Sequence, residues 1–290
     1  MSEQQPGFPL AAVPALGHRF DPAILEATRA LYAPLLPPPA PEIRVQADIP
    51  YGEDTRQKLD LYLPASPNGA SLLFVPGGGF VGGDKDADGT FYGNLGRYFA
   101  AHGFLTAAMN YRLAPAHGWP AGSEDVAAAL AWLQGNAAAQ GASANRTFLF
   151  GQSAGAAHCA GFLFDSRFHP PGGAGVTAAV LMSGPYRVGA SSSPGAKAYY
   201  GTDESTYLAR SPLTHASNST VPLLLSVAEF DPAPLAAPSF ELAAAFTLRD
   251  GRSPRFAWFA GHNHVSTVMS LGTPQDDVGA TIRGFLGRFG

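Results

Sequence analysis

From residue 71 to residue 260 the chain repeatedly sets a short, continuous apolar run against a turn signal and a helix-like stretch. The runs are SLLFVP (71–76), FLTAAMNY (104–111), TFLFG (147–151), AAVLMSG (178–184), PLLLSVA (222–228) and RFAWFA (255–260). Runs without polar alternation suit parallel strands that are covered on both faces. Ahead of them, EIRVQADIPY (42–51) and KLDLYLP (58–64) alternate apolar with polar residues, as an antiparallel opening pair would. The pattern predicts an α/β fold: a mostly parallel, eight-stranded sheet with helices on both faces.

Helices are predicted over 123–134, 154–163, 235–249 and 275–288. Ser123 would cap the first, with Glu124 and Asp125 in its opening turn. Near the N-terminus, Asp21 and Pro22 suit the cap and first position of a helix through AILEATRALYAPLL, which Pro37-Pro38-Pro39 stops. Such a helix cannot stand alone, so residues 1–41 are expected to pack as a short cap-like segment on a single domain spanning 1–290. Residues 184–220 are rich in Ser, Gly and Pro and read as a long excursion. In open sheets of this kind, ligands bind beyond the carboxyl ends of the strands.

The chain's 290 residues are ample for one core, and the 46% hydrophobic share argues against disorder. Charged residues make up only 14%, the net charge is −4 and no basic run stands out. Neither nucleic acid nor an anionic membrane surface is an expected partner. The lone cysteine, Cys159, excludes an internal disulfide and reads as a small buried hydrophobe. No apolar run approaches the length of a membrane span, and MSEQQPGFPLAAVPALGHRF lacks a basic segment followed by an apolar block. A cytoplasmic protein acting on a small molecule is the expectation, and a homodimer is compatible with it.

Gly151-Gln152-Ser153-Ala154-Gly155 matches G-x-S-x-G, a weak signal by itself in a chain with 34 glycines. Its context strengthens it: the run TFLF precedes it and the small-residue stretch AAHCAGFLF follows. A strand, a sharp turn and a helix are what a nucleophile elbow requires, with Ser153 held out at the sheet's edge. The bland alternative is a serine capping a helix. Attack by such a serine on a carbonyl generates an oxyanion, which needs rigid N–H donors. Gly77-Gly78-Gly79, just past an apolar run, can turn its amides toward a ligand, and Gly78, Gly79 and Ala154 are the best donors. A phosphate cradle is the poorer reading, since neither G-K-[ST] nor G-x-G-x-x-G is present.

A serine hydroxyl also needs a neighbouring base oriented by an acid. In this fold the chain order is Ser, then Asp or Glu, then His. PLLLSVA leads into Glu229-Phe230-Asp231-Pro232, so Asp231 sits just past a strand, with Glu229 as its close competitor. RFAWFA leads into Gly261-His262-Asn263-His264, and only one of the two histidines can be the base. His158, behind Ser153, reads as a packed core histidine. A metal held by His262 and His264 lacks a third ligand. Phe80, Phe91, Tyr92, Trp119, Tyr186 and Phe230 are candidates to line a substrate pocket.

PGGGFVGGDK (76–85), YRLAP with WPA (111–121), GQSAG (151–155), and EFDP with GHNHVS (229–266) occur in that order. Over about residues 42–288 the chain thereby resembles α/β-hydrolase esterases of the hormone-sensitive-lipase-like and feruloyl-esterase- or arylformamidase-like branches. The resemblance implies Ser153 as nucleophile, Asp231 as orienting acid, His264 as base, and the amides of Gly78, Gly79 and Ala154 as oxyanion hole. It favours His264 because the family's base is commonly followed by an apolar or aromatic residue. Many relatives read H-G-G-G where this chain has Pro76 before the glycines, and their histidine helps to hold the oxyanion loop. The short N-terminal segment suggests an open site. The expected activity is hydrolysis of short-chain or aromatic acyl esters. An arylformamidase-type amide hydrolase uses the same triad, a non-catalytic small-molecule receptor is a distant alternative, and no metal or organic cofactor is implied.

Overall fold

A computed structural model describes residues 9–289, so the first eight residues of the cap-like segment lie outside the described region. The eight strands are β1 (Arg44–Pro50), β2 (Lys58–Leu63), β3 (Gly69–Val75), β4 (Leu105–Met109), β5 (Ala142–Gln152), β6 (Ala178–Met182), β7 (Leu223–Ala228) and β8 (Arg255–Phe259). They form one sheet in the order β1-β2-β4-β3-β5-β6-β7-β8. The β1–β2 and β2–β4 pairs are antiparallel and every later pair is parallel. Each of the six apolar runs forms a strand, and the alternating pair forms the antiparallel edge.

The described α-helices are α1 (Pro22–Tyr32), α2 (Gly93–Ala101), α3 (Ala121–Ala137), α4 (Ala154–Phe164), α5 (Pro194–Tyr200), α6 (Tyr207–Arg210), α7 (Ala233–Asp250), α8 (Ser266–Met269) and α9 (Asp277–Leu286). None is long and apolar enough to cross a membrane. Alternate residues of each central strand enter opposite cores. Leu73, Val75 and Leu149 meet α3, α4 and α7 through Leu130, Cys159 and Phe246. Leu72, Phe74, Phe148 and Phe150 meet α2 and α9 through Phe99 and Ile282. This two-sided burial is why the strands read as continuous apolar runs.

One expected helix start needs correction. α3 starts at Ala121 rather than Ser123, and no side chain caps it. Ser123 lies inside the helix, where its hydroxyl donates to the His158 carbonyl at 3.3 Å. The helix begins early because Pro120 occupies the N-cap position and cannot continue a helix backwards. Residues 184–220, read as a long excursion, run between β6 and β7 and hold α5, α6 and a 3₁₀ turn at Pro212–Asn218. These helices are too short to show an apolar period in the sequence.

The N-terminal segment lies against the end of the sheet that carries the site. Asp21 accepts from the amides of Ala23 and Ile24, capping α1. Val13 and Tyr32 pack with Val265 and Met269. Thr28 receives a hydrogen bond from the Asn263 side chain at 2.9 Å. The segment therefore braces the connection that follows β8.

Candidate active site

Ser153 leaves β5 with φ 56° and ψ −126°, a conformation that non-glycine residues rarely adopt. It directly precedes α4, so strand and helix meet at an acute turn. The flanking glycines are required by contact. A Cβ on Gly155 would stand 2.1 Å from the Val75 carbonyl oxygen, and one on Gly151 would stand 2.6 Å from that of Gly155. The Ser153 amide donates to the Met182 carbonyl at 2.9 Å, tying the turn to β6.

The glycine loop leaves β3 beside this turn. Gly78 and Gly79 have φ of +143° and +61°, and both residues are exposed. The Gly77 amide is taken by the Tyr92 hydroxyl at 3.1 Å. The amides of Gly78, Gly79 and Ala154 have no acceptor among the described residues. The loop is held from several sides. The Gly78 carbonyl accepts from Val81 and Gly82, the Phe80 carbonyl accepts from Ala114, and the Phe80 ring stacks on Tyr199 at 5.0 Å. Gly195 of α5 closes over the loop: a Cβ there would lie 2.1 Å from the Gly79 carbonyl oxygen.

Asp231 follows β7 and is 4% exposed. One carboxylate oxygen accepts from His264 Nδ1 at 2.8 Å. The other accepts from the Ser183 hydroxyl at 2.6 Å and the Ala228 amide at 2.8 Å. Glu229 does not reach the histidine and instead accepts from the Gly261 amide at 2.6 Å. His262 is also placed away from the nucleophile. It contacts Ser266 at 3.0 Å, Gln275 at 3.1 Å and Asp277 at 3.2 Å, all within the connection from β8 to α9.

The Ser153 hydroxyl makes no hydrogen bond to His264 in this structure. The Gln152 side-chain amide approaches His264 Nε2 at 3.2 Å and donates to the His264 carbonyl at 3.1 Å. Phe20 of the N-terminal segment lies over the imidazole, with ring centroids 4.6 Å apart. His158, on α4 itself, is fully buried among Phe80, Tyr111 and Tyr199. Burial pulls it down to about 3, so it stays neutral.

Ser153, Ala154 and Gly79 open into a cavity of about 670 Å³. That is the size of an ordinary small-molecule site. Phe20, Phe80, Val81 and Leu235 supply apolar walls, while Arg187, Glu241 and Ser191–Ser193 supply polar ones. Of the aromatic residues expected to line a pocket, Phe80 does so. Trp119, Tyr186 and Phe230 do not. Tyr186 is fully buried in the core, Trp119 lies beneath Arg167 and Arg210, and Phe230 packs on His18. Aromatic content alone does not distinguish core from cavity. Phe91 packs on Tyr92, and Tyr92 is buried behind the glycine loop. A second cavity, of about 470 Å³, lies between residues 33–43, α2 and residues 271–276, and shares no lining residue with the first.

Several contributing residues escaped the sequence reading. Ser183 carried a usable signal, since it follows β6 next to the strand that presents Asp231. Gln152 was visible only as the variable position of the motif. Phe20 and Thr28 act from a segment more than 200 residues from His264, which no local pattern reveals.

A family model described as BD-FAE matches residues 59–165. Over 109 residues the chain is 38% identical to Esterase LipC of Mycobacterium tuberculosis, covering 36% of this chain and 26% of that protein. It is 35% identical over 115 residues to an isoprenylcysteine alpha-carbonyl methylesterase of Arabidopsis thaliana, covering 39% and 26%. The matched stretch thus spans about a quarter of these relatives' length. Esterase B from Lactobacillus rhamnosis superimposes with a TM-score of 0.73 at 19% identity, covering 97% of this chain and 95% of that one. The esterase from Pyrobaculum calidifontis does so with a TM-score of 0.72 at 18% identity, covering 98% and 97%. By its sheet order, its elbow at the end of β5 and this near-complete structural match, the chain has the α/β-hydrolase fold.

Proposed function

We propose that the protein hydrolyses small carboxylic esters through an acyl-enzyme on Ser153, with His264 as base, Asp231 as its orienting acid, and the amides of Gly78, Gly79 and Ala154 as oxyanion hole. The observation that carries this reading is the strained serine, which opens into the same 670 Å³ cavity as Gly79 and Ala154. The buried Asp231–His264 pair supports it. The similarity to Esterase LipC and to ethyl acetate hydrolase of Pseudomonas putida supports the ester bond as the target.

In the proposed cycle His264 Nε2 removes the Ser153 proton as Oγ attacks the ester carbonyl. The oxyanion forms against the three amides, which are fixed before reaction and so need no reorganisation. The imidazolium, paired with Asp231, returns the proton to the departing alcohol as the C–O bond breaks. Water then enters and attacks the acyl carbon while giving a proton to the same nitrogen, and that proton passes to Ser153 Oγ as its bond to the acyl carbon breaks and the acid leaves. The walls formed by Phe20, Phe80 and Leu235 suit a short or aromatic acyl group.

The test is turnover of p-nitrophenyl acetate beside N-formylkynurenine by the native protein and by Ser153→Ala. The expected result is ester turnover that falls by about 10⁴–10⁶-fold in the variant. Near-native turnover by a folded Ser153→Ala protein overturns the reading. Turnover of the formamide alone would move the assignment to the arylformamidase type.

A further inference from the structure

The Tyr92 hydroxyl sits between the glycine loop and the base, and its two hydrogen bonds have opposite polarity. It accepts from the Gly77 amide at 3.1 Å and donates to Gln152 Oε1 at 2.7 Å. That second bond fixes which way the Gln152 amide points. Its oxygen is committed to Tyr92, so its nitrogen must face the histidine. There it donates to the His264 carbonyl at 3.1 Å and meets His264 Nε2 at 3.2 Å. His264 Nδ1 already donates to Asp231, so Nε2 carries the lone pair and receives the amide proton. All of these side chains are buried.

We propose that Gln152 and Tyr92 are positioning residues that join the oxyanion loop and the base into one hydrogen-bonded unit and hold His264 in its neutral, proton-accepting form. The inference rests on Ser153, His264 and Asp231 being the reacting triad. A neutral imidazole is satisfied by this arrangement. An imidazolium is not, because its Nε2–H would face an N–H. The amide cannot rotate to offer its oxygen while Tyr92 holds that oxygen. When Ser153 engages Nε2, the bond from Gln152 to the His264 carbonyl can persist, so the ring is released without freeing the loop. Burial pushes the Tyr92 hydroxyl well above its ordinary range, which keeps its proton available for donation.

The surroundings of His264 leave few competing charges. Asp231 meets its ring from the connection after β7, and Phe20 covers it from the N-terminal segment. Thr267 of α8 donates to its carbonyl. Glu229 is engaged by Gly261, Asp277 by His262, and Glu241 by Arg187 across the cavity.

The experiment measures kcat/KM against pH, with melting temperature, for Gln152→Leu, Gln152→Glu and Tyr92→Phe. Removing the amide, or freeing it to rotate, allows protonation at Nε2. The acid limb of the profile should therefore move to higher pH in all three. Gln152→Glu places a carboxylate there and should move the limb furthest, by about one pH unit or more. At pH values below the limb this is about a tenfold loss relative to the native protein. Tyr92→Phe removes one hydroxyl, so it keeps the test open if the Gln152 variants fail to fold. A lower kcat with an unmoved acid limb in the folded variants would overturn the proposal and leave Gln152 and Tyr92 as packing residues. An active Ser153→Ala would instead overturn the triad reading on which it rests, so the two failures are distinguishable.

Discussion

Glu229 and Asp231 stand two residues apart and hold different points of one connection. Glu229 accepts from the Gly261 amide at 2.6 Å, and Asp231 accepts from His264 Nδ1 at 2.8 Å. The carboxylate further along the chain reaches the histidine, and the earlier one pins the turn that leads to it. Asp231→Asn replaces the charge that would stabilise an imidazolium and is expected to lower kcat by about 10³–10⁴-fold. Glu229→Gln keeps an acceptor oxygen for Gly261 and is expected to lower kcat less than tenfold, with a small drop in melting temperature. Measuring kcat and melting temperature for both variants checks the division. A silent Asp231→Asn beside an inactive, fully stable Glu229→Gln would reverse it.

The two histidines divide in the same way. His264→Ala is expected to remove several powers of ten in activity with little change in stability. His262→Ala should do the opposite, because His262 links Ser266, Gln275 and Asp277. The stability effect has a pH signature. Burial pushes the Asp277 carboxyl upward, but its hydrogen bond and charge contact with His262, together with the amides at the start of α9, hold it below the ordinary carboxylate range. A depressed carboxyl stabilises the fold above its unfolded value, near 3.9, and that contribution is lost as pH falls through the folded value. Thermal melts of the native protein and His262→Ala should therefore differ more at pH 6 than below about pH 3, where only the loss of the contacts with Ser266 and Gln275 still separates them. A constant difference across that range would show that Asp277 is not the partner that matters.

Gly195 offers a test of the proposed oxyanion role of the glycine loop that touches no reacting atom. A Cβ there would stand 2.1 Å from the Gly79 carbonyl oxygen. Both sides of that contact are backbone, so Gly195→Ala must push the loop or α5 aside. A displacement near 1 Å is enough to cost about 100-fold in rate when donors must be aimed. The expected outcome is a 10- to 100-fold fall in kcat, a smaller change in KM and a modest change in melting temperature. Native kcat in this variant would mean that α5 does not set the position of Gly79.

The strands were legible because both faces of the sheet are covered, which leaves Leu72, Leu73, Phe74 and Val75 as one unbroken apolar run. Ser153, Asp231 and His264 stood out as candidates because each follows a strand that such a run predicts. Other features depend on which residue lies opposite, and one chain segment does not carry that information. Tyr186 and Phe80 are both aromatic residues just past strands, yet one is core and the other lines the cavity. Gln152 reads as filler inside G-x-S-x-G until Tyr92, 60 residues earlier, is placed beside it. Ser123 looked like a cap because it precedes two acids, but Pro120 had already started the helix.

The bond between Thr28 and Asn263 tests how far the N-terminal segment supports His264. Thr28, on α1, is fully buried. Its hydroxyl donates to the Ile24 carbonyl at 2.8 Å and accepts from the Asn263 side chain at 2.9 Å. Asn263 is fully buried too, and its oxygen accepts from the amides of Val265 and Ser266, shaping the turn that presents His264. Thr28→Val keeps the shape of the side chain and leaves one buried Asn263 donor without a partner. Such a group costs about 1–3 kcal/mol, and in a domain of this size each kcal/mol is worth about 2–4 °C. The expected result is therefore a melting temperature lower by several degrees. The Asn263 oxygen still holds Val265 and Ser266, so His264 should stay near its place and kcat should fall less than tenfold. Asn263→Ala removes both functions and should cost more in each measurement, with kcat falling beyond tenfold. Equal effects of the two variants on kcat would locate the support of His264 in α1 rather than in the turn. A Thr28→Val protein with native melting temperature would show that the buried donor finds another partner, and that the segment braces the site through its apolar contacts at Val13 and Tyr32 alone.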